Sequence, residues 1–213
     1  MRRIEQIAIE ELGIPSILLM ENASIRVAEH CFRLINGGKS ARVLIACGPG
    51  NNGGDGTALA RHLYIKEIET KVIFAGDMNA VKGDAAVNLA IIKKLGIPIE
   101  QDITPDIETY DLVVDAILGT GLVRNVEGSY KDMIETINRY AKYVISVDMP
   151  SGVHSDTGQI MGCAIKAAQT ITLGYPKTGL YLHPGSEFAG KIHIEDISIP
   201  HSLIDRVKKE SDC

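Results

Sequence analysis

The chain has 213 residues, 45% of them hydrophobic and 23% charged, with a formal net charge of -5. That length buries one substantial core, so a single domain over 1–213 is expected, and scattered basic residues under a negative balance exclude a nucleic-acid-tracking surface. No apolar run approaches the roughly 20 residues that cross a bilayer, Met1-Arg2-Arg3-Ile4-Glu5 lacks a signal peptide's apolar segment, and Cys31, Cys47, Cys163 and Cys213 form no Cys-x-x-Cys pair, so a soluble protein of the reducing cytoplasm is expected.

Taken in chain order, Ile14 to Ile35 reads as a helix, with Pro15 near its start and Leu18, Leu19, Ala23, Val27, Ala28 and Cys31 at helical spacing. Strand-like runs follow at Val43–Cys47, Lys71–Ala75, Leu112–Leu118, Tyr143–Val147, Thr170–Leu173 and Lys191–Ile194. Helical segments are expected between them at Gly56–Ile65, Ala80–Leu95, Tyr130–Tyr140 and Gly162–Ala168. Such alternation predicts a mostly parallel sheet covered on both faces, a Rossmann-like three-layer αβα sandwich. In that architecture ligands bind beyond the carboxyl ends of the strands, which directs attention to Gly48–Asp55, Asp115–Asn125, Asp148–Gly152 and Gly174–Gly179.

The first of these segments, Gly48-Pro49-Gly50-Asn51-Asn52-Gly53-Gly54-Asp55-Gly56, carries five glycines in nine residues. Gly48, Gly50 and Gly53 match the spacing of dinucleotide-binding turns. Asp55 falls where the following helix is expected to begin, where it would cap the helix and repel a phosphate. The Lys-Ser/Thr pair of an ATP-binding P-loop is absent. Asn51 and Asn52 read either as turn residues or as amide donors and acceptors at a pocket mouth.

Asp115 and Asp148 each close an apolar strand and are expected half-buried at the carboxyl edge, where a carboxylate requires a cation, hydrogen-bond donors or a raised pKa. Either could instead cap its own loop, but two on adjacent strand ends point to function. Ser151 adds a hydroxyl. Lys177 could steady a phosphate or tune Asp148, or be a solvated loop charge, and Glu21 and Asn22 could support the site from behind.

Together, Gly50-Asn51-Asn52-Gly53-Gly54-Asp55-Gly56, Asp115-Ala116-Ile117-Leu118-Gly119-Thr120-Gly121, Val147-Asp148-Met149-Pro150-Ser151-Gly152 and Tyr175-Pro176-Lys177-Thr178-Gly179-Leu180 resemble the NAD(P)H-hydrate epimerase family. Leu19-Met20-Glu21-Asn22-Ala23 and Asp196-Ile197-Ser198-Ile199-Pro200 extend the resemblance over nearly the whole chain. It implies an isomerase that interconverts the R and S forms of NADHX and NADPHX, nicotinamide cofactors hydrated at C6, so that an S-specific dehydratase can restore NAD(P)H. It places substrate binding on Asn51, Asn52, Gly53, Gly54 and Asp55, on Gly119, Thr120, Gly121, Leu122, Val123, Arg124 and Asn125, and on Asp148. One potassium ion per subunit would be held by Asn52, Asp115 and Ser151. Relatives commonly begin several residues earlier and many carry a fused dehydratase, so a separate dehydratase partner is expected, and a homodimer is left open.

The chemistry is arguable from the substrate. C6 of the hydrate is a hemiaminal carbon whose ring nitrogen can expel hydroxide to leave a planar iminium, and water returning to the other face inverts the centre. The step needs a group that protonates the departing hydroxyl and deprotonates incoming water, a role suited to Asp148 with Lys177 beside it. Oxygen ligands with one carboxylate suit a monovalent ion. Two other classes stay open: a non-catalytic nucleotide-binding or scaffold module, and an NAD-dependent oxidoreductase using Asp77 at the ribose position.

Overall fold

The computed structural model describes residues 2–38, 40–101 and 105–211. Its strands are β1 (Arg42–Cys47), β2 (Glu69–Phe74), β3 (Ile99–Glu100), β4 (Leu112–Ala116), β5 (Val144–Val147), β6 (Gln169–Leu173) and β7 (Lys191–Glu195). They form one parallel sheet in the order β3-β2-β1-β4-β5-β6-β7. The helices are α1 (Arg2–Glu10), α2 (Ser16–Leu34), α3 (Asn51–Ile65), α4 (Gly83–Lys94), α5 (Gly128–Tyr140) and α6 (His201–Ser211). This is the expected α/β sandwich.

Apolar runs at the sheet centre become strands because both faces must be covered. Val43, Ile45 and Cys47 of β1 face a core shared with α1, α2, α3, α4 and α6, while Leu44 and Ala46 face a second core built with Ile134 and Ile137 of α5. Strand order reverses between β1 and β4, which opens the switch-point crevice where parallel sheets take ligands.

Several expectations change. The segment Gly162–Ala168 is not a helix: Gly162 has φ +82, and the backbone bonds outward, Ile165 N–H to Ser151 O at 2.9 Å and Lys166 N–H to Asn138 Oδ1 at 2.8 Å. Strand β4 ends at Ala116, so Ile117 and Leu118 belong to the loop. The terminal helices and the two-residue edge strand β3 were not expected. The signal for α1 was present, since Ile4, Ile7 and Ala8 are buried at helical spacing.

The largest change concerns the glycine-rich segment, which is mostly helix rather than loop. Helix α3 begins at Asn51 with Gly50 as its N-cap, five residues before the expected start. Its glycines allow close packing. A Cβ on Gly53 would lie 1.8 Å from the Gly48 carbonyl oxygen, and one on Gly56 would lie 2.7 Å from both Cys47 Sγ and Ala116 Cβ. Helix α3 is thus pressed onto β1 and β4 at the switch point.

Candidate active site

A cleft of about 1200 Å³ opens over that switch point, large enough for a dinucleotide. One wall is the start of α3, with Pro49, Gly50, Asn51, Asn52 and Asp55. The facing wall is the chain from Ile117 to Tyr130, which contains every residue from Gly119 to Asn125. Asp148 and Leu173 form the floor, and α1 and α2 close the side through Glu5, Ile9, Met20 and Ala23. Gly53 and Gly54 do not line it; Gly54 instead admits Met20 and Ala85.

Because α3 starts at Asn51, Asp55 is not its cap but sits in the second turn, and no acidic residue occupies the first. Gly54 N–H makes the first intrahelical bond, to Gly50 O at 3.0 Å, so the amides before it have no partner within the helix and lie at its positive end, where Gly50, Asn51 and Asn52 line the cleft. The start of α5 at Gly128, Ser129 and Tyr130 also borders it. The expected repulsion of phosphate by Asp55 at the helix start is therefore removed. Among the ionisable residues lining the cleft Arg124 is the one base, against Glu5, Asp55, Asp84, Glu127 and Asp148.

Asp148 follows β5 directly, with φ +67, an uncommon conformation for a residue with a side chain. Its N–H bonds to Ile171 O at 2.8 Å. Oδ1 accepts from Leu173 N–H at 3.2 Å and from Lys177 Nζ, while Oδ2 takes no hydrogen bond among the described residues. Lys177 is a buried ammonium rather than a solvated loop charge, 5% exposed, and also donates to Leu173 O at 2.8 Å and Thr172 Oγ1 at 3.2 Å. It lies behind Asp148 rather than in the cleft lining.

Asp115 is not half-buried at the edge but fully buried within β4. Oδ2 accepts from Ser146 Oγ at 2.7 Å and Ser151 N–H at 2.8 Å; Oδ1 accepts from Ile117 N–H at 3.3 Å and from Ser151 Oγ. Burial raises its pKa, and the bonds from Ser151, Ser146 and Ile117 oppose that rise. Leu118 N–H donates to Ser151 Oγ at 2.8 Å, and a Cβ on Gly119 would sit 3.3 Å from Asn52 Cγ. Asn52, Ser151 and Asp115 therefore gather around one turn, 117–119. Both polar atoms of the Asn52 amide are buried without a hydrogen-bond partner, which is costly unless something polar binds there. The neighbouring donor set is oxygen, which fits a hard cation.

Other expected residues lie elsewhere. Glu21 pairs with Arg61 and with His62 at 3.0 Å, and Asn22 donates to Ser198 Oγ at 2.9 Å, neither in the cleft. Asp77, the residue expected at a ribose position, is not among the cleft lining and caps one 3-10 turn by accepting from Asn79 N–H at 2.8 Å. The Tyr130 hydroxyl occupies the space beside Gly76, where a Cβ would meet it at 2.2 Å. Glu5, Ile9, Asp84 and Tyr130 were not expected in the cleft, because helix packing rather than motif brings them there.

A cleft at a parallel-sheet switch point, walled by a helix start and floored by a carboxylate, places the protein among the α/β domains that take ligands beyond their strand ends. Residues 16–179 match the family described as YjeF-related protein N-terminus. The NAD(P)H-hydrate epimerase of Oenococcus oeni is 40% identical over 191 residues, spanning 90% of both chains, and that of Weissella koreensis is 39% identical over 202 residues, spanning 93% of this chain and 89% of its own. The chain belongs to the NAD(P)H-hydrate epimerase family. A relative named bifunctional NAD(P)H-hydrate repair enzyme Nnr, from Thermofilum pendens, is also 40% identical, but the chain spans 41% of its length. The crystal structure of yeast ynu0 shares the fold, with a TM-score of 0.82 over 96% of this chain and 89% of its own, at 24% identity.

Proposed function

We propose that the protein is an isomerase that interconverts the R and S forms of NADHX and NADPHX, with the free oxygen of Asp148 exchanging the proton that hydroxide departure and water return require. The observation that carries this reading is the setting of Asp148, which lines a dinucleotide-sized cleft while its Oδ1 is tied down by Lys177 and Leu173. A fixed carboxylate on a half-dry floor is a suitable proton carrier and an electrostatic partner for an iminium. Lys177 positions that carboxylate.

The first amides of α3 and Arg124 supply positive potential for the substrate's phosphates. Asn52, Asp115 and Ser151 would hold one potassium ion, which would offset the buried Asp115 charge and satisfy the Asn52 amide. A dehydratase activity would consume the S form. No helix among the described residues is long and apolar enough to cross a membrane, and the free thiols Cys31, Cys47 and Cys163 support our placement in the reducing cytoplasm.

The test supplies the R form of NADHX with an S-specific dehydratase and follows NADH recovery. Wild-type protein should hasten recovery above the spontaneous rate, and Asp148→Asn should lower that acceleration by about 100-fold or more. Recovery at the spontaneous rate with folded wild-type protein refutes the reading.

A further inference from the structure

Inverting a carbon by losing hydroxide from one face and accepting water on the other exposes two faces to proton traffic, and one fixed carboxylate serves one of them well. The cleft holds a second carboxyl that the reading above leaves without chemistry. Asp55 projects from the second turn of α3 into the same cleft as Asp148. No hydrogen bond or ion pair is recorded for its carboxyl among the described residues, whereas its backbone carbonyl accepts from Ser24 Oγ at 3.3 Å. Asp148 is anchored by a buried ammonium and an amide; Asp55 has neither.

This asymmetry suits two roles. The ionisable groups acting on Asp55 come from several elements: Asp148 after β5, Glu5 on α1 and Lys177 after β6. Desolvation is the largest influence and the Asp148 charge the next; both hold the Asp55 carboxyl well above the usual carboxylate range, with Lys177 opposing them. A carboxyl that holds its proton more tightly than usual, sharing a cleft with an anchored carboxylate, is the arrangement in which two acids divide donor and acceptor functions.

We propose that Asp55 is a second catalytic residue, the general acid that works with Asp148, so that epimerisation uses two carboxyls, one for the departure of water and one for its return. The inference rests on the epimerase reading above. In the R-to-S direction, with the assignment of faces fixed by how the ring lies, the Asp55 carboxyl gives its proton to the departing C6 hydroxyl. The C6–O bond breaks, the ring-nitrogen lone pair forms the C=N bond of the iminium, and water leaves. A second water adds its oxygen to C6 from the other face and passes a proton to Asp148, while the C=N electrons return to nitrogen. One proton has moved from Asp55 to Asp148, and exchange through solvent resets the pair. The reverse direction begins from the opposite protonation state.

Two measurements test the assignment. In steady-state epimerisation, wild type should show an alkaline limb in kcat, and the isosteric Asp55→Asn should lower kcat by about 100-fold or more, shift KM by under about threefold and lose that limb. A raised KM with kcat retained would overturn the proposal and leave Asp55 as a binding residue. The second measurement needs no variant activity: carbon-13 NMR of carboxyl-labelled wild-type protein, with Asp55 assigned by its missing resonance in Asp55→Asn, should show one aspartate still protonated near neutral pH. Titration of Asp55 in the ordinary acidic range would overturn it. If wild-type protein has no epimerase activity, the functional reading fails first, and the titration separates the two failures.

Discussion

Lys177 donates to Oδ1 of Asp148 from a side chain only 4% exposed, while the Asp148 side chain is 15% exposed and lines the cleft. The lysine is therefore a support and the aspartate the surface it supports. Three residues separate Leu173, the last of β6, from Lys177, and the ammonium folds back to the Leu173 carbonyl, so the whole turn is braced against the carboxylate.

Lys177→Met should remove the anchor and leave a mostly buried carboxylate with one amide donor. We expect a loss of about 2–4 kcal/mol, toward the lower end of the cost of breaking a buried ion pair because Asp148 is partly wetted. At about 2–4 °C per kcal/mol for a chain of this size, the thermal midpoint falls accordingly. Activity should fall about 10- to 100-fold beyond what the unfolded fraction accounts for, and Lys177→Arg should not restore it, because a forked guanidinium does not fit a point-charge site. Full activity in a folded Lys177→Met protein would refute the support role.

The Asn52 amide predicts a response to potassium. In choline chloride of constant ionic strength, replacing choline by potassium should raise the wild-type thermal midpoint progressively, as binding to the folded state alone requires. Asn52→Ala should flatten that rise. Identical slopes for the two proteins would remove Asn52 from any cation site.

Two glycines three residues apart should behave oppositely. Gly53→Ala places a methyl 1.8 Å from the Gly48 carbonyl and must push α3 off β1, at a cost of about 3 kcal/mol or more. Gly50→Ala meets nothing within 4 Å and has an extended backbone, so its chemical-denaturation midpoint should stay close to wild type. Equal effects would contradict the close approach.

Stability should also vary with pH through Asp55. Its folded pKa is raised above the unfolded value, so folding retains a proton that the unfolded chain releases. The penalty is absent below the unfolded value and grows as pH rises toward the folded one. Asp55→Asn should therefore be more stable than wild type at neutral pH, with the gain vanishing as pH falls below the unfolded carboxyl's value. A gain that persists undiminished in acid would point to packing rather than charge.

The parallel sheet was legible because its strands are short apolar runs, such as Val43 to Cys47 and Val144 to Val147, whose buried faces demand helices on both sides. Asp115, Asp148 and Ser151 stood out for the same reason, as polar groups placed in or beside such runs. Gly162–Ala168 misled because its apolar spacing says nothing of partners 10 to 30 residues away, which take its backbone bonds.

The glycine-rich segment divides the two kinds of knowledge most clearly. Sequence alone determined that a polypeptide backbone must come close to something between Cys47 and Thr57, because glycines are tolerated in such number where side chains cannot fit. Only the tertiary structure decided what approaches it: Gly48, Met20, Ala85 and Ala116, residues scattered over the chain that meet when α3 lies on the sheet. The same packing moved Asp55 from a helix cap to a cleft wall and turned Lys177 from solvent to Asp148. Burial and long-range Coulomb interactions depend on three-dimensional neighbours, and no local pattern encodes them.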